Sequence, residues 1–398
     1  MTDQTAVVIG GGIGGPALAL FLKKAGYRPL VFEAHAAASD IGGGLQIAPN
    51  GMGVLNELGL AETVRRAGVE SAEFCFENQF GKTLRCIPNG PASRYALPAT
   101  QIRRSLVHQT LLDALAQQDI PIQYSTRLAQ ITTSRDQVTA TFADGSSASG
   151  SILIGAGGLH PSTRQILFPN APAPHYTGLI TVGGFAKSDA LIPEHPSHLT
   201  RAHLVFGLNG FFGYGYYDPF DPSSVMWWSH LQREVEPSEH ELRSVGVEEL
   251  RSRILAHHRG WSEPIDTILR NANRILWGPV YDLPDLPKWS SGRAVLIGDA
   301  AHAITPHAGQ GASLAFEDAI NVAKQLRDAS PDVAFERFQQ ARQLRVSRII
   351  ADARKRGEGK QTLPPNAAKI RDFILKQFLR FRGNRLFDEA YAYTDTWN

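Results

Sequence analysis

Gly10-Gly11-Gly12-Ile13-Gly14-Gly15 places Gly10, Gly12 and Gly15 in the three fixed positions of G-x-G-x-x-G. That spacing suits a phosphate-binding turn. The first glycine permits a tight turn, the second lets backbone approach a pyrophosphate, and the third lets a helix pack closely on a strand. The apolar run Ala6–Gly10 precedes the motif and an Ala/Leu-rich stretch to about Ala25 follows it. The turn, Gly14 included, therefore opens a helix whose free N–H groups favour anions. Pro29–Glu33 reads as the next strand, and Glu33 can accept hydrogen bonds from an adenosine ribose. A dinucleotide is expected, and these residues do not separate NAD from FAD.

A second constellation lies far along the chain. The apolar strand Ala294–Ile297 ends in Gly298-Asp299-Ala300-Ala301-His302, and Pro306 and Gly309-Gln310-Gly311-Ala312 follow. A carboxylate at a strand end can hold the sugar-alcohol part of a flavin, which is the role expected of Asp299. The amides of Gly311 and Ala312, at the start of a helix running to about Leu326, can stabilise negative charge on the flavin's pyrimidine edge. The bland account makes Asp299 a helix cap and the glycines a turn. Two nucleotide-type loops, each after a strand, are harder to explain that way.

Together these runs resemble the two FAD signatures of the group A flavin monooxygenases, the single-component FAD-dependent aromatic hydroxylases. That family includes salicylate, 3-hydroxybenzoate and urate hydroxylases and the tetracycline-inactivating monooxygenases. A third run, Gly155-Ala156-Gly157-Gly158-Leu159-His160-Pro161-Ser162-Thr163-Arg164, is similar to the family's central stretch, which usually reads Gly-Ala-Asp-Gly and ends in arginine. Gly158 and Arg164 match. Gly157 stands where the family has an aspartate supporting FAD and the nicotinamide cofactor, and Pro161 where it has a serine.

The resemblance implies that Arg103, with Leu106 three positions on, reaches the FAD pyrophosphate, a role suited to a fixed guanidinium. Neighbouring Arg104 is the competing assignment. It also implies a flavin-side contact at Gln46, after Gly42-Gly43-Gly44, and an adenine contact from the backbone of the strand that Leu128 begins. His302 reads as packing under the flavin loop. Pro306 and His307 fall on the substrate side, where His307 could handle a proton. Arg201 stands roughly where urate hydroxylase has a working arginine. Arg201 and His203, on one face of a strand entering the pocket, complete the candidate catalytic set, with a salt bridge or a surface position as the plainer account of each.

The elements that must position these residues suggest an α/β chain in four segments. Residues 1–164 form the first part of a Rossmann-like FAD-binding domain, 165–290 an inserted, mainly β substrate domain, 291–330 the second part of the FAD domain, and 331–398 C-terminal helices. Ile102–Ala116 reads as a helix with Ile102, Leu106, Thr110, Leu111 and Leu115 along one side. His203–Tyr217 and Val225–Leu231 read as adjacent strands, and Glu241–His257 as one helix. In Phe212-Gly213-Tyr214-Gly215-Tyr216, strand alternation sends the aromatic rings to one face and the glycines to the other. Alternate glycines call for something to approach closely, either a packing element or a substrate. Phe212, Gly213, Tyr214 and Gly215, with Pro306, are the pocket candidates; a plain sheet core is the competing account of the aromatic residues. The basic amphipathic stretch Ala367–Phe387 could dock on the body or lie on anionic membrane, and docking is expected.

Composition narrows the setting. The chain has 398 residues, 43% hydrophobic and 20% charged, with a formal net charge of +2, which gives no global field for nucleic acid. No apolar run reaches the roughly 18 residues of a transmembrane helix, and the polar start reads as no secretory signal. A cytoplasmic protein, monomer or homodimer, is expected. Cys75 and Cys86 lack metal-ligand spacing, and no metal is expected. They could face each other in a hairpin around Phe80-Gly81, but free thiols are expected in a reducing compartment.

The family reaction implied is oxygen insertion into a small aromatic or polycyclic substrate. NADH or NADPH transiently reduces FAD, O2 adds at the flavin C4a carbon, and the hydroperoxide transfers oxygen to an electron-rich ring. The protein must orient that ring and exclude water. The absence of a second G-x-G-x-x-G after a strand argues against a separate nicotinamide domain. A fold-related FAD-dependent reductase of unsaturated substrates and a non-catalytic FAD-binding redox sensor are the alternatives. No Cys or His stands in a covalent-attachment setting. Purified protein is therefore expected to be yellow and to release its flavin on acid precipitation; colourless protein that takes up no added FAD would overturn this reading.

Overall fold

The strand Thr5–Ile9 is buried from Ala6 onward and pairs in parallel with Arg28–Phe32 on one side and Ile152–Gly155 on the other. It reads as a continuous apolar run because both faces of a parallel sheet are covered. Ile152–Gly155 pairs in turn with Ala294–Leu296, and Ser290–Ser291 and Ile122–Gln123 complete six strands. The glycine turn after Ile9 and the loop after Leu296 thus both leave the C-terminal ends of parallel strands in one sheet, where open α/β sheets bind ligands. The computed structural model describes residues 4–37, 42–159, 162–358 and 364–398. His160, Pro161, Thr362 and Leu363 of the sequence reading lie outside them.

The second body is a seven-stranded sheet in the order Ala272–Asp282, His175–Lys187, Ser224–Gln232, Gly210–Tyr216, Arg201–Gly207, Glu73–Asn78, Thr83–Pro88. Its last two strands come from before residue 164, so the expected boundary there is crossed in space. Arg201–Gly207 pairs in parallel with Glu73–Asn78. The molecule is α/β, a Rossmann-like sheet with an inserted β body and C-terminal helices.

Four local expectations change. His203–Tyr217 is two strands, turning at Leu208-Asn209 into Gly210 (φ 130°). Glu241–His257 is two helices, Glu239–Ser244 and Val247–His257, parted at Val245-Gly246. The helix expected from Ile102 begins at Arg104; Thr100–Arg103 is a strand, and the buried face is Val107, Leu111, Ala114 and Leu115, with Leu106 exposed. Cys75 and Cys86 are bonded rather than free, with an S–S distance of 2.06 Å. The hairpin puts them directly opposite each other, within the reach of cross-strand side chains.

The C-terminal helices lock the second loop. Helix Gly311–Asp328 carries Glu317 and Asp318 inside its buried face, and helix Pro331–Glu358 presents Arg342 to both. All three side chains are fully buried. Arg345 adds two bonds to Glu317 at 2.9 and 2.7 Å. Asp318 Oδ2 accepts the N–H of Gly298 at 2.8 Å and Nε2–H of His302 at 2.6 Å. Burial opposes ionisation of Asp318, but the His302 and Arg342 charges outweigh it and bring the carboxyl down to about 2. An unfolded aspartate titrates near 3.9. The stabilisation is therefore fully present above about pH 4 and is lost as pH falls through the folded value. Removing one partner of such a group strands a buried charge. Asp318→Ala should lower the unfolding free energy by about 3–5 kcal/mol. Urea titration of the purified protein measures this; an unchanged midpoint and slope would show that the cluster holds nothing together.

Candidate active site

The first glycine turn is built as its spacing requires. Gly10 has φ +116°, and a Cβ on Gly15 would lie 1.9 Å from the Gly10 carbonyl oxygen. A Cβ on Gly12, by contrast, would meet nothing within 4 Å, so the backbone there is open to a ligand. Helix Gly14–Lys24 follows with no side-chain cap on its first turn, and Gly14 lies inside it. Glu33 accepts the Gly11 N–H at 2.7 Å and the His35 N–H at 2.9 Å. Burial opposes its ionisation, but the backbone N–H groups of His35 and Gly11 hold the carboxyl below its ordinary value. His108, which the sequence reading passed over, donates to the Gly11 carbonyl at 2.6 Å and steadies the turn.

In the second loop, Asp299 opens the short helix Asp299–His302. The protein around it pushes its carboxyl up, with His302 and Arg104 opposing, yet the side chain is exposed. Both hold if the carboxylate stands on the floor of an open cleft, and water in that cleft weakens the shift until something displaces it. No described residue hydrogen-bonds it. Pro306 and Gly309 (φ 61°) are exposed beside it. Helix Gly311–Asp328 begins at Gly311 and Ala312 with no side-chain cap. Thr305 Oγ1 and Gln310 Nε2 are buried here with no partner among the described residues. Buried orphans of this kind point to a bound group that the protein alone does not supply. His302 packs against Trp289, with ring centroids 5.0 Å apart, and sits under the loop as expected. Arg164 donates to the carbonyls of Ala300 and Ala301 at 3.4 Å.

Arg103 ends its strand and turns toward the large sheet. It donates to Tyr217 Oη at 2.7 Å and lies over the rings of Phe185 and Tyr217, each 5.0 Å away. Arg104, first in its helix, is the arginine that acts electrostatically on Asp299. The helix starts at Arg104, and Leu106 of the Arg103-x-x-Leu106 spacing is exposed. Gln46 accepts from Asn89 at 2.8 Å and donates to Tyr391 Oη at 3.3 Å. That polar network also holds Ser71 and Gln101. Leu128 begins the strand Leu128–Thr133 with its side chain buried against Val7, Ile9 and Phe142, which leaves only its backbone for a ligand.

The large sheet sorts the pocket candidates by face. Phe212, Tyr214 and Tyr216 pack with Leu250, Ile254, Ile265 and Ile268 of the helices behind the sheet. They are core, and Phe212 and Tyr214 leave the pocket. Gly213 and Gly215 face the other way. A Cβ on Gly213 would meet the Trp228 ring at 2.3 Å, and one on Gly215 the Gln101 amide at 2.1 Å. Trp228 joins Phe185, Tyr217 and Met226 on this face. The Gly42–Gly44 approach passes over it: a Cβ on Gly44 would lie 2.1 Å from Met226 Sδ. His307 reaches the same face, its ring 4.5 Å from that of His230.

Arg201 and His203 do not reach it. Arg201 pairs with Glu73 at 2.9 Å; His203 pairs with Glu77 at 3.0 Å and stacks on Tyr214 with centroids 4.4 Å apart. The salt bridge given as the plainer account thus holds for each, on the face turned to the rear helices, because they share strand parity with Val205 of that core.

An open Gly12, a solvent-facing carboxylate without a protein partner, two uncapped helix starts and orphaned polar atoms fit a dinucleotide. The sequence profile of the FAD binding domain family matches residues 3–182 and 285–351, more than half of the chain. The chain belongs to that family. The flavoprotein is 30% identical over 391 residues to 3-amino-4-hydroxybenzoate 2-monooxygenase of Streptomyces platensis, covering 97% of this chain and 94% of the relative. It is 26% identical over 380 residues to the aurachin C monooxygenase/isomerase of Stigmatella aurantiaca, 94% of each. Its fold superposes on Klebsiella pneumoniae HpxO complexed with FAD and uric acid, with a TM-score of 0.85 at 23% identity, covering 98% and 97% of the two chains. The flavoprotein is an FAD-dependent monooxygenase of the group A aromatic hydroxylase type.

Asp299 binds nothing in the protein, whereas Glu33 also holds its own turn. Asp299→Ala should therefore weaken FAD binding by about 1.5–3 kcal/mol, more than Glu33→Ala, while leaving the apoprotein's urea midpoint unchanged. Fluorescence titration with FAD measures both, and a wild-type dissociation constant for Asp299→Ala would remove that residue from the site.

Proposed function

We propose that the flavoprotein hydroxylates a small, flat aromatic compound held between the second glycine loop and the glycine face of the large sheet. NADH or NADPH serves as transient electron donor. The observation that carries this reading is that Phe185, Tyr217, Met226 and Trp228 line the glycine face of the large sheet, the face that His307 of the second glycine loop also approaches. In this reading the Gly10–Gly15 turn and Glu33 would hold the adenosine and diphosphate end of FAD. Asp299 would bind its sugar-alcohol chain, and the amides of Gly311 and Ala312 its electron-rich edge. FAD supplies the redox chemistry and the activation of oxygen.

The protein's own residues do the rest. Trp228 and Met226 exclude water and present an apolar surface to one face of the ring. Arg103, with no acidic partner among the described residues, supplies positive charge where the two halves of the cleft meet. His307, next to Pro306 and with its ring 4.5 Å from that of His230 on this face, would take or return a substrate hydroxyl proton. A substrate with an acidic or hydroxyl substituent suits this set, as the names of the similar benzoate and urate enzymes also suggest. The reading is tested by substrate-stimulated NAD(P)H oxidation with O2 uptake across hydroxybenzoates and hydroxylated N-heteroaromatics. No stimulation by any ring compound, with electron transfer to an alkene instead, would favour the reductase.

Gly213→Val should push Trp228 from the sheet while keeping FAD content. The ratio of hydroxylated product to hydrogen peroxide per NAD(P)H should then fall by about tenfold, because a misplaced ring no longer captures the oxygen. An unchanged ratio in a folded variant would return Gly213 to packing alone.

A further inference from the structure

Helix Pro365–Arg382 is docked by one side only. Leu375 and Leu379 pack on Phe74, Phe76, Leu204 and Phe206 of the large sheet, and Arg371 donates to the Gly207 carbonyl at 2.8 Å and to that of Phe206 at 3.3 Å. The expected docking is therefore real, but it uses the face opposite the larger hydrophobic groups. Ile370, Phe373, Ile374, Phe378 and Phe381 are between 47% and 77% exposed. Their positions follow the three- and four-residue spacing of a single helical stripe. A contiguous stripe with three exposed phenylalanines is larger than the scattered apolar residues of an ordinary surface and marks a contact.

Charge decides what covers it. By helical periodicity Lys369, Lys376 and Arg380 run along one edge of the stripe and Arg382 along the other, all exposed. None of the four forms an ion pair among the described residues. The acid in the helix, Asp372, faces the body and is neutralised there by Arg371 at 2.8 Å and bonded to Asn78 at 3.2 Å. A second copy of the chain would bring two such cationic edges together, which costs like-charge repulsion. A bilayer bearing anionic headgroups meets both features at once, apolar side chains entering the acyl boundary and cations remaining at the phosphates. No described helix is long and apolar enough to cross a membrane, so the contact lies along the surface.

We propose that helix Pro365–Arg382 seats the flavoprotein on an anionic phospholipid surface through Ile370, Phe373, Ile374, Phe378 and Phe381, with Lys369, Lys376, Arg380 and Arg382 as its electrostatic rim. The test is flotation of the FAD-loaded protein with vesicles of equimolar phosphatidylglycerol and phosphatidylcholine, compared with phosphatidylcholine alone. Wild type is expected to float with the anionic vesicles only and to release in high salt. The triple change Ile370→Ser, Phe373→Ser, Phe381→Ser and the charge reversal Lys376→Glu with Arg380→Glu should each cut partitioning by about tenfold or more. Because these side chains touch nothing in the core, FAD content and vesicle-free NAD(P)H oxidation should stay at wild-type levels and confirm folding. Absence of flotation, equal flotation with neutral vesicles, or wild-type flotation of the folded triple variant would overturn the proposal. So would a concentration-dependent dimer in sedimentation that the triple change abolishes, because the stripe would then belong to a second copy.

Discussion

Two adjacent acids, Glu317 and Asp318, lie inside a helix whose other buried residues are almost all apolar, and the flavin-side architecture hangs on how they are neutralised. Arg342 bridges both of them without solvent contact. Ion pairs this deep contribute little net stability compared with a well-packed apolar replacement. They contribute direction instead. One carboxylate oxygen of Asp318 fixes the Gly298 N–H and His302 together, which sets the path of the loop and turns Asp299 outward. Glu317, through Asn50 at 2.6 Å, ties the same helix to the helix Pro49–Glu57. Two aspartates nineteen positions apart thus differ in their surroundings, one satisfied by protein and one with no hydrogen-bond partner among the described residues.

The large sheet shows a comparable division across its two faces. Its rear face has the heavier aromatic residues and works as core. Its front face is thinned by glycines so that other side chains can lie flat on it: the Trp228 indole over Gly213 and the Gln101 amide over Gly215. Apolar bulk marks the core face, and alternation with glycine marks the face that other side chains approach closely. That face is made of few atoms per residue, and one methyl group on Gly213 would displace an indole.

Much of this was legible in the sequence because it depends on short-range constraint. The glycine turn, Glu33 after the second strand, and the Gly298–Ala312 loop are fixed by local backbone chemistry, and each stands where its spacing implied. A salt bridge is the plainer account of Arg201 and His203, but the identity of its partners depends on residues distant in the chain. Arg201 and His203 share the right strand, but their neighbours Glu73 and Glu77 come from a hairpin more than a hundred residues earlier, and no periodicity reports a parallel partner. The turn at Asn209-Gly210 was missed although Asn-Gly between apolar runs is a hairpin signal. The Glu317-Asp318 pair also carried a signal, since two acids amid Leu314, Phe316, Ile320 and Val322 require buried cations. The hairpin register that lets Cys75 and Cys86 face each other is legible in the sequence and holds, whereas the compartment argument for free thiols does not.

The hydrogen bond from Tyr391 to Asn89 spans 302 positions, and the central parallel strands Thr5–Ile9, Ile152–Gly155 and Ala294–Leu296 are gathered from three remote stretches. Closing such separations costs chain entropy before any contact repays it, so topology of this kind folds slowly. Until Ala294–Leu296 arrives, Ile152–Gly155 has an unpaired apolar edge, and the hairpin at 73–88 waits for Arg201–Gly207. A nascent or refolding chain therefore passes through states with open sheet edges, which are prone to pair with other copies. Each glycine loop leaves a strand whose neighbours lie more than a hundred positions away on at least one side, so its shape depends on the assembled sheet.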